Sequence, residues 1–249
     1  PVPCGVRSQE GETVVVAGRD KEVLGTSELE KTGEVWVGIK GEEPEHGTMK
    51  VPVYGQRPVK GLVFDIIAKE DIVAPDGTVH ANANQVVDTL ITGKKDKTDL
   101  LHLGKYVVVE KDAGNHGLVL DLEKHEVELK YKDQHTAIIA KKLAFKNKRQ
   151  KIELELLKKA EVFDAETGKY TAQPAEGFVF GVYTNQDIKD FEGKVVIKKD
   201  ELITTFTTDK EGKAKISDGL PLALLYMQEL IATSDNWDIP DTTYEVAAT

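Results

Sequence analysis

The feature that most constrains this chain is that it repeats itself. "GLVFDIIAKEDIVAPDGTV" (61–79) aligns without a gap on "GFVFGVYTNQDIKDFEGKV" (177–195) at a constant offset of 116. The offset continues through "VVDTLIT" (86–92) against "LITTFTT" (202–208). A three-residue insertion then shifts it to 119, and "LHLGKYVVVEKD" (101–112) falls on "LPLALLYMQELI" (220–231) with Glu110 on Glu229. "HEVEL" (125–129) meets "YEVAA" (244–248), and upstream "EVWVGIKGE" (34–42) is set against "ELELLKKAE" (153–161), also at 119. A fixed internal period means one folding unit used twice. The boundaries that follow are module 1 at 31–148 and module 2 at 149–249. Residues 1–30 are left as the remnant of a preceding module or a linker.

Each copy is built of period-two patterns. "EVWVGIK" (34–40), "KYVVVE" (105–110), "KLAFKN" (142–147), "KIELELLKK" (151–159) and "GFVFGVYT" (177–184) alternate as half-buried strands do. Gly, Asp and Pro punctuate them, as in "APDGT" (74–78) and "DAETGK" (164–169). Long helical periodicity is absent, with at most one helical turn at "AKEDI" (68–72). Short strands at regular spacing predict an all-β chain of tandem β-sandwich modules.

Composition narrows the function classes. The net charge of −10 argues against a nucleic-acid or anionic-membrane partner. No stretch is long and apolar enough for a spanning helix, so no membrane insertion is expected of this segment. The chain opens "PVPCGV" without a Met, which reads as a piece of something longer. Cys4 is the only cysteine, so an intrachain disulfide and a cysteine-type zinc site are both out of reach. Covalent reinforcement would have to use other chemistry.

Three strands of module 1 carry an apolar stripe that ends in a polar residue. Trp36 and Gly38 lead to Lys40, Tyr106 and Val108 to Glu110, and Leu143 and Phe145 to Asn147. Module 2 repeats two of them, with Lys158 after Leu154 and Leu156, and Glu229 in register with Glu110. A lysine amine beside an asparagine can attack the carboxamide carbon, forming an amide bond and releasing ammonia. The amine must be neutral, and burial lowers a lysine pKa. A buried carboxyl can shuttle the protons, and proximity supplies much of the barrier reduction. On this reading Lys40 and Asn147 are cross-linked with Glu110 as the acid/base. Lys31, Lys50 and Lys60 are the alternatives if the strand register is shifted. Lys158 and Glu229 form the matching pair of module 2, where the position matching Asn147 would fall past Thr249.

Those residues, with "KGE" (40–42), "LGKYVVVEKDAGNHGLVLD" (103–121), "YKDQ" (131–134) and "NKRQKIELELLKK" (147–159), carry a resemblance. The chain resembles the collagen-adhesin B-type (SpaA-like) modules of Gram-positive surface proteins and pilins, over roughly 31–249. The resemblance implies a transthyretin-like or inverse-immunoglobulin sandwich. It implies a Lys40–Asn147 isopeptide bond catalysed by Glu110, and no cofactor or metal. It also implies an extracellular, wall-anchored stalk whose partners are neighbouring modules of the parent chain. The pattern departs from the family around the acid of module 2, "ALLYMQE" (223–229).

Two other classes of function draw on some of the same residues. A module could display a ligand-binding surface for a host or glycan ligand, with Tyr54 and Trp237 as loop aromatics. Aromatics plugging the sandwich ends explain the same residues. A two-carboxylate glycosidase would need Glu110 and Glu229, which lie in different modules. Nor do the six histidines show ligand spacing. No external substrate is expected. Module 2, short of a strand, is expected to be the weaker half, to pair with a neighbouring molecule, or to borrow a segment such as "ETVVVAG" (12–18).

Overall fold

The structure is a computed structural model that describes residues 4–7, 13–16, 21–42, 47–190, 192–234 and 237–247. Among these residues the chain is all-β, without a helix. β1 (Cys4–Arg7) and β2 (Thr13–Val16) pair with each other, and among the described residues the expected loan of 12–18 to module 2 is not observed; residues 12, 17 and 18 lie outside the described residues. The next strands are β3 (Leu24–Glu42), β4 (Met49–Pro58), β5 (Val63–Ala68), β6 (Ile72–Val73), β7 (Val79–Ala81), β8 (Val86–Ile91), β9 (Leu101–His102), β10 (Gly104–Asp112), β11 (His125–Leu129) and β12 (Ile138–Asn147). They are followed by β13 (Leu154–Leu157), β14 (Lys159–Asp164), β15 (Lys169–Pro174), β16 (Val179–Thr184), β17 (Ile188–Lys189), β18 (Val195–Ile197), β19 (Leu202–Thr207), β20 (Lys213–Ile216), β21 (Leu224–Ile231) and β22 (Thr243–Ala247). The "AKEDI" stretch holds the end of β5, a bend and the start of β6 in place of a helical turn.

The chain divides into two compact units. Unit 1 holds residues 1–31, 59–113 and 120–145, and unit 2 holds 32–58, 114–119 and 146–249. In unit 1 the sheet β11-β10-β5-β8 faces strands of the sheet β12-β3-β4. The rings of Phe64 on β5 and Phe145 on β12 meet at 5.1 Å between centroids, with Ile66, Leu90, Tyr106, Val108 and Leu129 buried around them. Two stacked sheets with alternating inward residues are a β-sandwich. β3 begins at Leu24, ahead of the boundary expected at residue 31, and its first residues pair with β9. They belong to the sheet because residues 24–31 alternate toward the core in register with the rest of the strand.

Unit 2 is built on the sheet β19-β16-β21-β22 and the pair β13-β20. Its core includes Phe178, Phe180, Val182, Ile203, Leu225 and Met227. Trp36 is buried in the same cluster, with Ile39 and Tyr54 packed against it. The β3–β4 hairpin (32–58) is therefore part of unit 2's core, although the sequence period assigns it to module 1.

The period is legible strand by strand. β5 and β16, β6 and β17, β7 and β18, and β8 and β19 all stand 116 apart. β5 and β16 even share one burial pattern. A threonine closes both units alike. Thr92 accepts from the Leu62 N–H at 3.0 Å, and Thr208 from the Phe178 N–H at 3.0 Å.

Candidate functional site

Unit 1 carries a lysine and a glutamate removed from water. Lys31 lies on β3 and Glu110 on β10, and Nζ stands 3.7 Å from Oε1. The two side chains are 0% and 1% exposed. Strand alternation puts Lys31 inward, in line with Leu29. The rings of Phe64 and Phe145 lie 5.5 Å and 5.6 Å from Nζ. The other carboxylate oxygen of Glu110 accepts from the Asp121 N–H at 2.7 Å, which aims Oε1 at the lysine. Desolvation by burial lowers the Lys31 pKa from its ordinary 10.5, against the raising pull of Glu110 and Asp121. The shift is in the direction of the neutral amine that the chemistry requires.

Asn147 ends β12 and is buried, 2% exposed. β12 is the hydrogen-bonded neighbour of β3. The two strands advance together. The Leu24 N–H donates to the Ala137 carbonyl, and Lys142 pairs with Glu28 and Glu30. Asn147 follows Phe145 by two residues, so it shares the face on which that ring meets Lys31.

Lys40, expected in this role, is elsewhere. It stands on the outer end of β3, exposed, and its Nζ pairs with Glu42 at 2.6 Å. The pairing of β3 with β4 shifts register between Trp36 and Gly38, so alternation counted through that point does not hold. Lys50 is half-buried opposite Gly41, and Lys60 is exposed. Of the expected lysines, the structure brings Lys31 to Glu110.

Unit 2 repeats the pair. Lys158 Nζ stands 2.7 Å from Glu229 Oε2 and 4.9 Å from the Phe178 ring centre. The backbone shows that Lys31 and Lys158 are counterparts. A hairpin starts one residue after each, pairing Thr32 with Pro58 and Lys159 with Pro174. The residue after each proline then donates to the lysine's own carbonyl, Val59 to Lys31 at 3.4 Å and Ala175 to Lys158 at 3.2 Å. The missed signal is "ELEKTGEV" (28–35) against "ELLKKAEV" (155–162), in which Glu, Leu, Lys, Glu and Val coincide. It was hidden because the first hairpin is longer, which breaks the offset upstream of β5.

Lys158 leaves β13 at a crowded turn. Its N–H donates to the Gly212 carbonyl at 2.7 Å. Gly212 has φ +73, and a Cβ there would collide with the Lys158 carbonyl, so the turn requires glycine. β13 pairs with β20. The second oxygen of Glu229 is buried without a hydrogen-bond partner among the described residues.

The other candidate residues are packed. Tyr54 lies on β4, with the Arg149 guanidinium 3.9 Å from its ring centre and Trp36 beside it. Trp237 meets Phe178 edge-on at 5.9 Å. Two groups bring possible metal ligands within 4.8 Å of one another, Glu22 with His80 and His102, and Asp121 with Glu123 and His125.

No family model matches the chain, and no curated protein matches it. Among solved structures it is similar to the Bacillus anthracis TIE protein, at 18% identity and a TM-score of 0.51. That match covers 98% of this chain and 36% of the other, so the chain spans about a third of that relative. It is also similar to a double mutant of the shaft pilin SpaA from Lactobacillus rhamnosus GG, at 16% identity, 92% and 94% coverage and a TM-score of 0.33. The basal pilin SpaE of the same organism matches at 11% identity, 92% and 86% coverage and a TM-score of 0.35. The fold class that the strand order defines is the tandem β-sandwich.

Proposed function

We propose that this chain is a structural segment of a pilin-like, extracellular protein of a Gram-positive cell. Its first sandwich is locked by an amide bond between Lys31 and Asn147, with Glu110 as the acid/base. The observation that carries the reading is the Lys31–Glu110 pair, buried beside two phenylalanine rings on the strand next to the one that Asn147 closes. Burying two charges is costly and rarely a good way to gain stability. The arrangement makes sense if the amine is consumed. Lys31 Nζ attacks the Asn147 side-chain carbonyl carbon as Glu110 takes an amine proton. Glu110 then returns that proton to the departing nitrogen. One C–N bond forms, one breaks, and ammonia leaves.

The role as a stalk rests on the repeat, on the resemblance to adhesin modules and on the pilins among the similar structures. A bond between residues 31 and 147 spans about as much chain as a 100-residue loop, worth about 4–5 kcal/mol on the loop-entropy account used for disulfides. Reduction does not undo it. Intact mass spectrometry tests the reading. The expected mass is one ammonia below the sequence mass, and Lys40→Ala should keep that deficit while Lys31→Ala abolishes it. A full sequence mass for the folded protein would sink the cross-link.

A further inference from the structure

The hairpin that follows each lysine is present twice, and its two copies meet opposite fates. Counted from the lysine and the closing proline, Trp36 and Tyr54 of the first hairpin correspond to Phe163 and Tyr170 of the second. Each is a directly opposed cross-strand pair. Trp36 is buried in the core cluster of unit 2, with Tyr54 packed against that cluster and its hydroxyl donating to the Leu220 carbonyl at 3.4 Å. Phe163 and Tyr170 touch each other edge-on at 5.3 Å, yet are 54% and 69% exposed. Val162, the counterpart of buried Val35, is exposed too. An aromatic pair with an aliphatic neighbour, on a two-stranded hairpin, is the composition of an interface rather than of a solvated turn.

The receiving surface is also present twice. In unit 2 the first hairpin runs along β19, where Leu202 is buried and the Thr205 hydroxyl reaches Met49 Sδ at 4.0 Å. The counterparts of Leu202 and Thr205 on β8 of unit 1 are Val86 and Thr89. Val86 is 47% exposed, and Thr89 is exposed as well. Among the described residues the chain thus offers one uncovered hairpin and one uncovered β8 face, and in unit 2 the same two surfaces are joined.

We propose that the β14–β15 hairpin of one copy docks on the β8 face of unit 1 in a second copy. The two surfaces differ, so the contact is heterologous and adds copies head to tail. The test is sedimentation velocity on the whole chain over rising concentration. The wild type should gain mass with concentration. Phe163→Ser/Tyr170→Ser, which removes the hairpin's aromatics, and Val86→Glu, which charges the receiving face, should each stay monomeric. All three positions are exposed, so the fold should survive, which circular dichroism checks. Mixing the two variants should restore a single contact and give dimers that grow no further. A wild type that stays monomeric up to its solubility limit overturns the proposal. So does a mixture that behaves as its separate parts, or a glycan array on which the wild type binds a sugar through Phe163 and Tyr170 without self-association.

Discussion

The two lysine–glutamate pairs share a backbone but not an environment. Lys31 is sealed, with Glu110 at 3.7 Å, whereas Lys158 is 20% exposed and sits 2.7 Å from Glu229. The tighter ion pair belongs to the wetter site. Lys158, which water still reaches, closes on its acid as an ordinary salt bridge. Sealed lysine loses hydration, and its neutral form gains ground. The strand whose Phe145 covers Lys31, β12, also ends in Asn147. In unit 2, β13 pairs with β20 among the described residues. Under the proposed cross-link, the difference means that the last strand does two jobs at once, delivering the electrophile and drying the nucleophile.

The largest expected effect comes from removing the electrophile. Asn147→Ala should restore the full sequence mass and leave Lys31 a free amine. The loss of about 4–5 kcal/mol of loop constraint should lower the melting temperature by roughly 15 °C or more. If Asn147→Ala still shows one ammonia lost, the two sites differ for some reason other than the one argued. Glu110→Ala should come next. Lys31 and Asn147 remain, but no group moves the proton, so the protein should fold and keep its full mass. Its stability should fall near that of Asn147→Ala, and somewhat below if the lone amine charges inside the core. A cross-linked Glu110→Ala protein would remove the catalytic role.

How far these sites were readable from the sequence depends on what kept the period intact. Strands β5 to β8 and β16 to β19 run at one offset because nothing is inserted between them, so the succession of strands could be read directly, and Glu110 and Glu229 could be set in register once the offset moved to 119. Asn147 could be read from its stripe with Phe145. Lys31 could not be read with the same method. The first hairpin carries extra residues, the offset fails upstream, and the stripe through Trp36 passes a bulge that alternation cannot see. Membership of the hairpin was hidden for a different reason. Trp36 and Tyr54 look like module 1 by period, but their burial belongs to unit 2, and tertiary packing leaves no mark on a local pattern.

A pH titration sharpens the comparison. In Asn147→Ala the amine of Lys31 survives, with its pKa below 10.5 because burial disfavours its charged form. Between the folded-state value and 10.5 the unfolded chain binds more protons than the folded one, so stability rises with pH across that window. Below the folded-state value both states are protonated and the slope vanishes. Urea unfolding of Asn147→Ala should show this rise on the alkaline side. Lys31→Met/Asn147→Ala should lack it, and equal slopes in the two proteins would argue against a depressed Lys31.

The smallest effect concerns Lys158. Its amine is partly wet and paired with Glu229, and among the described residues no strand brings an amide beside it as β12 does beside β3. It should remain a free lysine in this chain. Trypsin should therefore cut after Lys158 in the denatured protein but not after Lys31, whose side chain would be an amide. Lys158→Met should leave the mass deficit of the chain at one ammonia. Its cost is limited by what the pair contributes. Glu229 loses its partner, but the methionine covers the Phe178 ring over which Lys158 Nζ now stands. The net loss should be on the order of 1–2 kcal/mol, well short of the loss on cutting the first site's bond. A larger loss from Lys158→Met than from Asn147→Ala would mean that the salt bridge, and not the cross-link, is the chief stabiliser of the pattern. A second ammonia missing from the wild type would mean that an amide does reach Lys158, and that the wetter site is as reactive as the sealed one.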